Sequence, residues 1–145
     1  MRLLTVSRRT GDQHFTAANM HNSGELALLQ GNVEQALTEM HQALLTLVEH
    51  SDVARSASAL EGLANVALAL GEPVRALRIL GALDPLVSST GLVSSDLDPT
   101  HLHDLRTQAT TQLDTSQAAA AWAEGHQLTL PRLAEELTAW RESRE

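Results

Sequence analysis

Seven histidines and eighteen carboxylates are the side chains of this 145-residue sequence with the reach to bind a metal or move a proton. The densest group is His101-x-His103-Asp104. Residues two apart on a helix point about 200° away from each other, so these imidazoles cannot grip one ion from a regular helix. His14 and His21, seven apart, share a helical face, but no carboxylate stands between them at ligand spacing. Metal sites bring three or four ligands at defined spacing. The histidines are therefore expected to be solvated, with no metal and no cofactor. Glu135-Glu136 are adjacent, point away from one face, and are expected to form wet surface. Neither a Gly-x-Ser-x-Gly elbow nor a His-Glu-x-x-His pair occurs. No catalytic residue is predicted, and the chain is expected not to be an enzyme.

The residues that are missing narrow the chemistry further. There is no cysteine, which excludes disulfides and thiolate zinc sites. All ten basic residues are arginine, so Schiff-base chemistry and a phosphate loop ending in Gly-Lys-Ser/Thr are excluded as well. A net charge of −8 opposes nucleic-acid binding, which draws on Lys and Arg to neutralise phosphates. No run of 18 apolar residues exists to span a membrane. The start, MRLLTVSRRTGD, is basic but lacks a long apolar stretch and a cleavage site. Cytoplasmic residence is the expectation, and the length suits one domain.

Those side chains are positioned by helices, because helical spacing runs through nearly the whole chain. The pattern predicts seven, at about 14–30, 33–50, 53–70, 73–88, 99–113, 116–124 and 130–143. Gly31 and Gly71 stand where left-handed caps favour glycine, and Asp52, Thr115 and Thr129 are the expected N-caps. Pro85 should kink or shorten its helix, Gly125 should stop the sixth, and Ser88–Asp98 reads as a linker before Pro99 restarts the chain. With Phe15, Trp122 and Trp140 the only aromatics, the core must be Leu, Ala and Val. Trp122, inside Ala118-Ala119-Ala120-Ala121-Trp122-Ala123, is expected to be a core plug, the alternative being an exposed anchor for a partner. Trp140 has two readings, packing the last helix down or meeting a second copy.

An internal repeat is visible. Gly31-x4-Ala36-Leu37-x2-Met40 recurs as Gly71-x4-Ala76-Leu77-x2-Leu80, forty residues on, a period characteristic of stacked hairpins. Gly lets the chain reverse, Ala sits where helices cross closely, and the larger residue four further on fills the gap to the next hairpin.

The first copy resembles a tetratricopeptide repeat. Gly24, Ala27, Gly31, Ala36, Met40, Ala43 and Leu44 stand at its small, small, glycine, alanine, aromatic, alanine and leucine positions. The second keeps Leu63, Ala64, Ala67, Gly71, Ala76 and Leu80 in register, with Leu83 at the later alanine position. The period exceeds that family's usual length, and the consensus aromatics are absent. A second resemblance covers about residues 50–140: Leu60-Glu61-Gly62-Leu63-Ala64, Leu80-Gly81 and Ala120-Ala121-Trp122-Ala123-Glu124-Gly125 with Leu128-Thr129-Leu130. These are similar to the C-terminal helical region of bacterial LuxR-type, signalling-ATPase transcriptional regulators. That family implies a ligand- or partner-sensing arm. The phosphate loop is absent and no helix-turn-helix is expected after the Trp122 block, so ATPase and DNA-binding activities are not carried over.

Together these imply an all-α fold of antiparallel helix hairpins, stacked as a short tetratricopeptide-like right-handed superhelix. Residues 1–13 would form an N-terminal extension and 14–145 the repeat domain, with repeats at about 14–50 and 53–88, a linker at 88–98 and capping helices at 99–145. The repeat register implies a concave groove lined by Ala18, His21, Glu25 and Leu28 from the first repeat and Ser58, Glu61, Asn65 and Leu68 from the second. Glu25 and Glu61 stand where some family members use cations to hold a partner's terminal carboxylate, so a polar or basic protein or peptide is the expected partner. A homodimer through Leu3-Leu4-x-Val6 and the first twenty residues is a further expectation. The alternatives are a small-molecule-sensing domain and a regulator fragment with a structural role only.

Overall fold

Three tight reversals organise the first half of the chain, and two of them use glycine. The computed structural model describes residues 13–90, 97 and 99–144, with the side chains of 13–18, 89 and 90 excepted. It holds Gly31 at φ +83° and Gly71 at φ +75°. The Gly31 N–H donates to Leu28 O and the Asn32 N–H to Ala27 O; forty residues on, Gly71 donates to Leu68 O and Glu72 to Ala67 O. This pair of bonds satisfies the last carbonyls of a helix and needs a left-handed residue. The middle reversal repeats the pattern, Ser51 to Val48 O and Asp52 to Leu47 O, with serine at φ +56°. A Cβ in that region costs about 1–2 kcal/mol, part of which glycine's freedom in the unfolded chain would offset. Ser51→Gly should therefore raise stability by about 0.5–1 kcal/mol, read as a higher denaturant midpoint. An unchanged midpoint would mean that Ser51 stores no strain.

Among the described residues the chain forms seven α-helices and no strand: α1 Gln13–Leu29, α2 Val33–Glu49, α3 Val53–Ala69, α4 Pro73–Thr90, α5 Pro99–Thr111, α6 Thr115–His126 and α7 Leu130–Ser143. The fold is all-α. The Asp52 carboxylate accepts from Arg55 N–H and the Thr129 hydroxyl from Arg132 N–H, as N-caps should. Three local expectations are corrected. Asp114, not Thr115, caps α6, in a reciprocal box with Gln117. Pro85 does not shorten α4, because Leu86 and Val87 beyond it pack against the core and hold the last turn. Gly125 does not stop α6; it lies inside the helix, for a reason given below. Residues 1–12, most of the 88–98 linker and Asp98 fall outside the described residues.

The first four helices stack as two hairpins. α1 packs along α2, α3 against both, and α4 along α3; α5 then lies on α3 and α4. Met40 shows what the small residues are for. Its side chain lies over Gly24 of α1 and Gly62 of α3, where an added Cβ would come within 2.7 Å of Met40 Cγ and of Met40 Sδ respectively. On α3 the residues Ala59, Gly62, Leu63 and Val66 are buried. Forty positions earlier, on α1, stand Asn19, Asn22, Ser23 and Leu26, all exposed. α3 has a preceding hairpin against it and α1 has none among the described residues, so that face of α1 is polar apart from Leu26.

The last two helices turn back over the stack. α6 lies along α4, and α7 crosses onto α2 and α4, so it returns to the first hairpin rather than extending the row beyond α5. α4 and α6 meet backbone to backbone. A Cβ on Gly81 would stand 2.5 Å from Trp122 O, and one on Gly125 would overlap Arg78 O and come within 3.0 Å of Ala82 N. Ala118, Ala121 and Gly125 are the buried residues of α6, so the alanine block makes a seam. α7 buries Leu133, Leu137 and Trp140. The Trp140 indole N–H donates to Glu72 at 3.1 Å, which settles that residue as a packing anchor.

Polar clamps hold this layer in place. Arg78 bridges Glu124 and Glu136, with Arg75 3.5 Å from Glu136. Glu136 is thus a clamp rather than the wet surface expected of it, whereas Glu135 is exposed. Arg144 pairs with Glu34 at 2.6 Å and Glu72 at 3.1 Å, and its hydrogen bond holds the Glu34 carboxyl below the usual carboxylate range. His41 of α2 is 2% exposed and bonded to Thr138 Oγ1 at 2.8 Å. Because that hydroxyl donates to Ala134 O, it must accept from His41, which places the imidazole proton on Nε2.

Candidate functional site

α1, α3 and α5 converge on one side of the stack and leave an open cleft of about 390 Å³. α1 contributes His21, Glu25, Leu28 and Leu29; α3 contributes Glu61, Gly62 and Asn65; α5 contributes His101; Met40 forms part of the floor. The cleft exists because small residues let α1 and α3 approach at their middle. A Cβ on Gly62 would come within 3.2 Å of His21 Cε1.

The cleft brings together His21, Glu25, Leu28, Glu61 and Asn65 of the expected groove. Ser58 and Leu68 are half-buried on α3 and do not line it; they lie about one turn to either side, before Glu61 and after Asn65. Ala18 is on α1, but its side chain is outside the described residues. His101, Met40 and Leu29 were not expected here. The repeat register ends before α5, so the only sequence signal for His101 was its place in the His101-x-His103 pair. The two histidines do diverge: His101 faces this cleft and His103 lines a separate cavity.

The electrostatics of the cleft are acidic. His21 Nε2 lies 2.7 Å from Glu25 Oε1, one helical turn away, and its buried Nδ1 has no hydrogen-bond partner among the described residues. The proton therefore belongs on Nε2, facing the carboxylate. Asn65 Nδ2 and His101 Nε2 are 3.3 Å apart, which ties α3 to α5 across the floor. The Glu25 carboxylate stays more than half exposed, and Leu29 beside it is 85% exposed. The arrangement places the open Glu25 carboxylate next to an apolar strip, with Glu61 half-buried on the facing helix. Among the described residues no three His, Asp or Glu side chains are grouped to hold a metal ion, and no helix is long and apolar enough to cross a membrane.

Trp122 is not the core plug expected of it. It is half-buried on α6, with the Arg106 guanidinium 3.5 Å from its ring centroid and the His126 ring 5.1 Å away. The surrounding alanines are small because α6 presses on α4, not because they wrap the indole. Comparison of the chain with family models, with curated proteins and with solved structures finds no match.

Proposed function

We propose that this chain is a tetratricopeptide-like interaction module that works in the cytoplasm, holding a polar or basic segment of a partner protein rather than turning over a substrate. On this reading it is a regulatory or sensor arm related to the bacterial regulators named above. One observation carries the proposal: α1 and α3 bring Glu25, Glu61 and the apolar Leu28 and Leu29 into one open cleft. A cationic side chain can pair with the carboxylates while its aliphatic stem covers the leucines. A free C-terminal carboxylate would meet like charge there.

The test is fluorescence anisotropy with labelled peptides of matched length, one Arg/Lys-rich and one Asp/Glu-rich, against the parent and a Glu25→Gln/Glu61→Gln double variant. Surface ion pairs contribute about 0.2–1 kcal/mol each, so losing two should weaken the basic peptide by about two- to thirtyfold. Its affinity should also fall with added salt. Equal binding of the two peptides, or a double variant that binds as tightly as the parent, would remove the acidic groove as the recognition surface.

A further inference from the structure

We propose that the cavity between α4, α5 and α6 is a second binding site, for a small amphipathic monoanion: a carboxylate carried on a hydrocarbon tail of medium length. It is separate from the acidic cleft and takes the opposite charge. α5 serves both, with His101 turned to the cleft and His103 and Arg106 turned to the cavity.

The cavity measures about 220 Å³, with a floor of Leu80, Leu83 and Val87 from α4 and Leu102 from α5. An apolar cavity of about 150 Å³ is enough to take up benzene, so this one has room for a tail somewhat larger than that ring. Trp122 forms the wall, and the Arg106 guanidinium carbon sits over its ring, 3.5 Å from the centroid. Stacking occupies the face of the guanidinium and leaves the N–H groups on its edge available. Arg75, Arg78 and Arg144 are all paired to glutamates, whereas Arg106 has no carboxylate partner among the described residues. In a chain of net charge −8, a guanidinium in that position stands out at the mouth of a leucine-lined space. His103 adds a second nitrogen base at the same rim.

Asp84 is the one carboxylate on this rim among the described residues, and it is engaged: His126 Nε2 lies 3.1 Å from its Oδ2, and His126 Nδ1 is 3.2 Å from Trp122 O. The anionic head therefore belongs at the Arg106 side, with the tail on the leucines. Planar bidentate recognition of a carboxylate is what a guanidinium edge does well.

The experiment is isothermal titration of the full chain with octanoate, octan-1-ol and octylammonium. Octanoate should bind saturably, octan-1-ol about tenfold more weakly, and octylammonium more weakly still. Arg106 is exposed, so Arg106→Gln should keep the parent's thermal midpoint while reducing octanoate affinity about tenfold and leaving octan-1-ol unchanged. The proposal is overturned by absence of saturable octanoate binding through the millimolar range, by equal binding of octanoate and octan-1-ol, or by an Arg106→Gln protein that binds octanoate like the parent. None of these outcomes bears on peptide binding in the acidic cleft, so each site stands or falls alone.

Discussion

Gly125→Ala is expected to lower the stability of the chain by about 2 kcal/mol, although alanine is the better helix former by about 1 kcal/mol. The sign is decided by what the new methyl meets. It would overlap the Arg78 carbonyl oxygen and stand 3.0 Å from both Ala82 N and Gly81 Cα, all of them backbone atoms of α4. Backbone cannot rotate aside as a side chain can, so α4 and α6 must move apart, and overpacking of this kind costs about 1–3 kcal/mol or more. Gly62→Ala provides the contrast. Its closest neighbours are Met40 Sδ at 2.7 Å and Met40 Cε at 3.0 Å, the end of a flexible thioether that can find another rotamer. Gly125→Ala should therefore cost clearly more than Gly62→Ala in chemical denaturation. Gly81→Ala opens the same seam, so the double variant should cost less than the two singles added. A Gly125→Ala protein as stable as the parent would show that the helices do not meet so closely.

How much of this was legible in the sequence depended on how local each feature is. The reversals at Gly31 and Gly71 were readable because a left-handed cap is a local requirement that favours glycine. Their forty-residue spacing matches α1 to α3 and α2 to α4 in the sequence, and the helix ends lie within a residue or two of those expected. Ser51 adopts the same left-handed geometry without the residue that announces it. Gly125 failed for the converse reason. At the end of an alanine run it reads as a stop, and its actual role depends on Gly81, forty-four residues earlier. In the cleft, register alone put Glu25, His21 and Leu28 opposite Glu61 and Asn65. It had no means of adding His101, because α5 belongs to no repeat copy, and nothing in the register sets Ser58 and Leu68 apart from Glu61 and Asn65. The return of α7 onto α2 was also beyond reach. An amphipathic stripe shows that a face will be buried, not against what.

That return gives the other large expected effect. Trp140→Ala should cost about 3–5 kcal/mol, the usual range for removing a buried tryptophan, against about 5–15 kcal/mol for a whole domain. Trp140 is 4% exposed, hydrogen-bonded to Glu72, and covered by the Arg75 guanidinium 5.2 Å from its ring. Trp140→Phe keeps most of the buried area and loses the hydrogen bond, for about 1 kcal/mol. If the two substitutions cost the same, Trp140 does not anchor α7 by its bulk. The same interface should be acid-sensitive through His41. Burial, and secondarily the charge of Arg141, push its pKa below the ordinary histidine value. The folded state therefore binds a proton less readily than the unfolded chain, whose histidine titrates near about pH 6.5. Stability from the neutral imidazole is fully present above that pH and is lost as pH falls toward and through the lowered folded value. His41→Gln can still donate to Thr138 but carries no titrating group. Between about pH 8 and about pH 5 the parent should lose more stability than this variant, with the difference opening below about 6.5. Parallel losses would move the acid sensitivity away from the contact between α2 and α7.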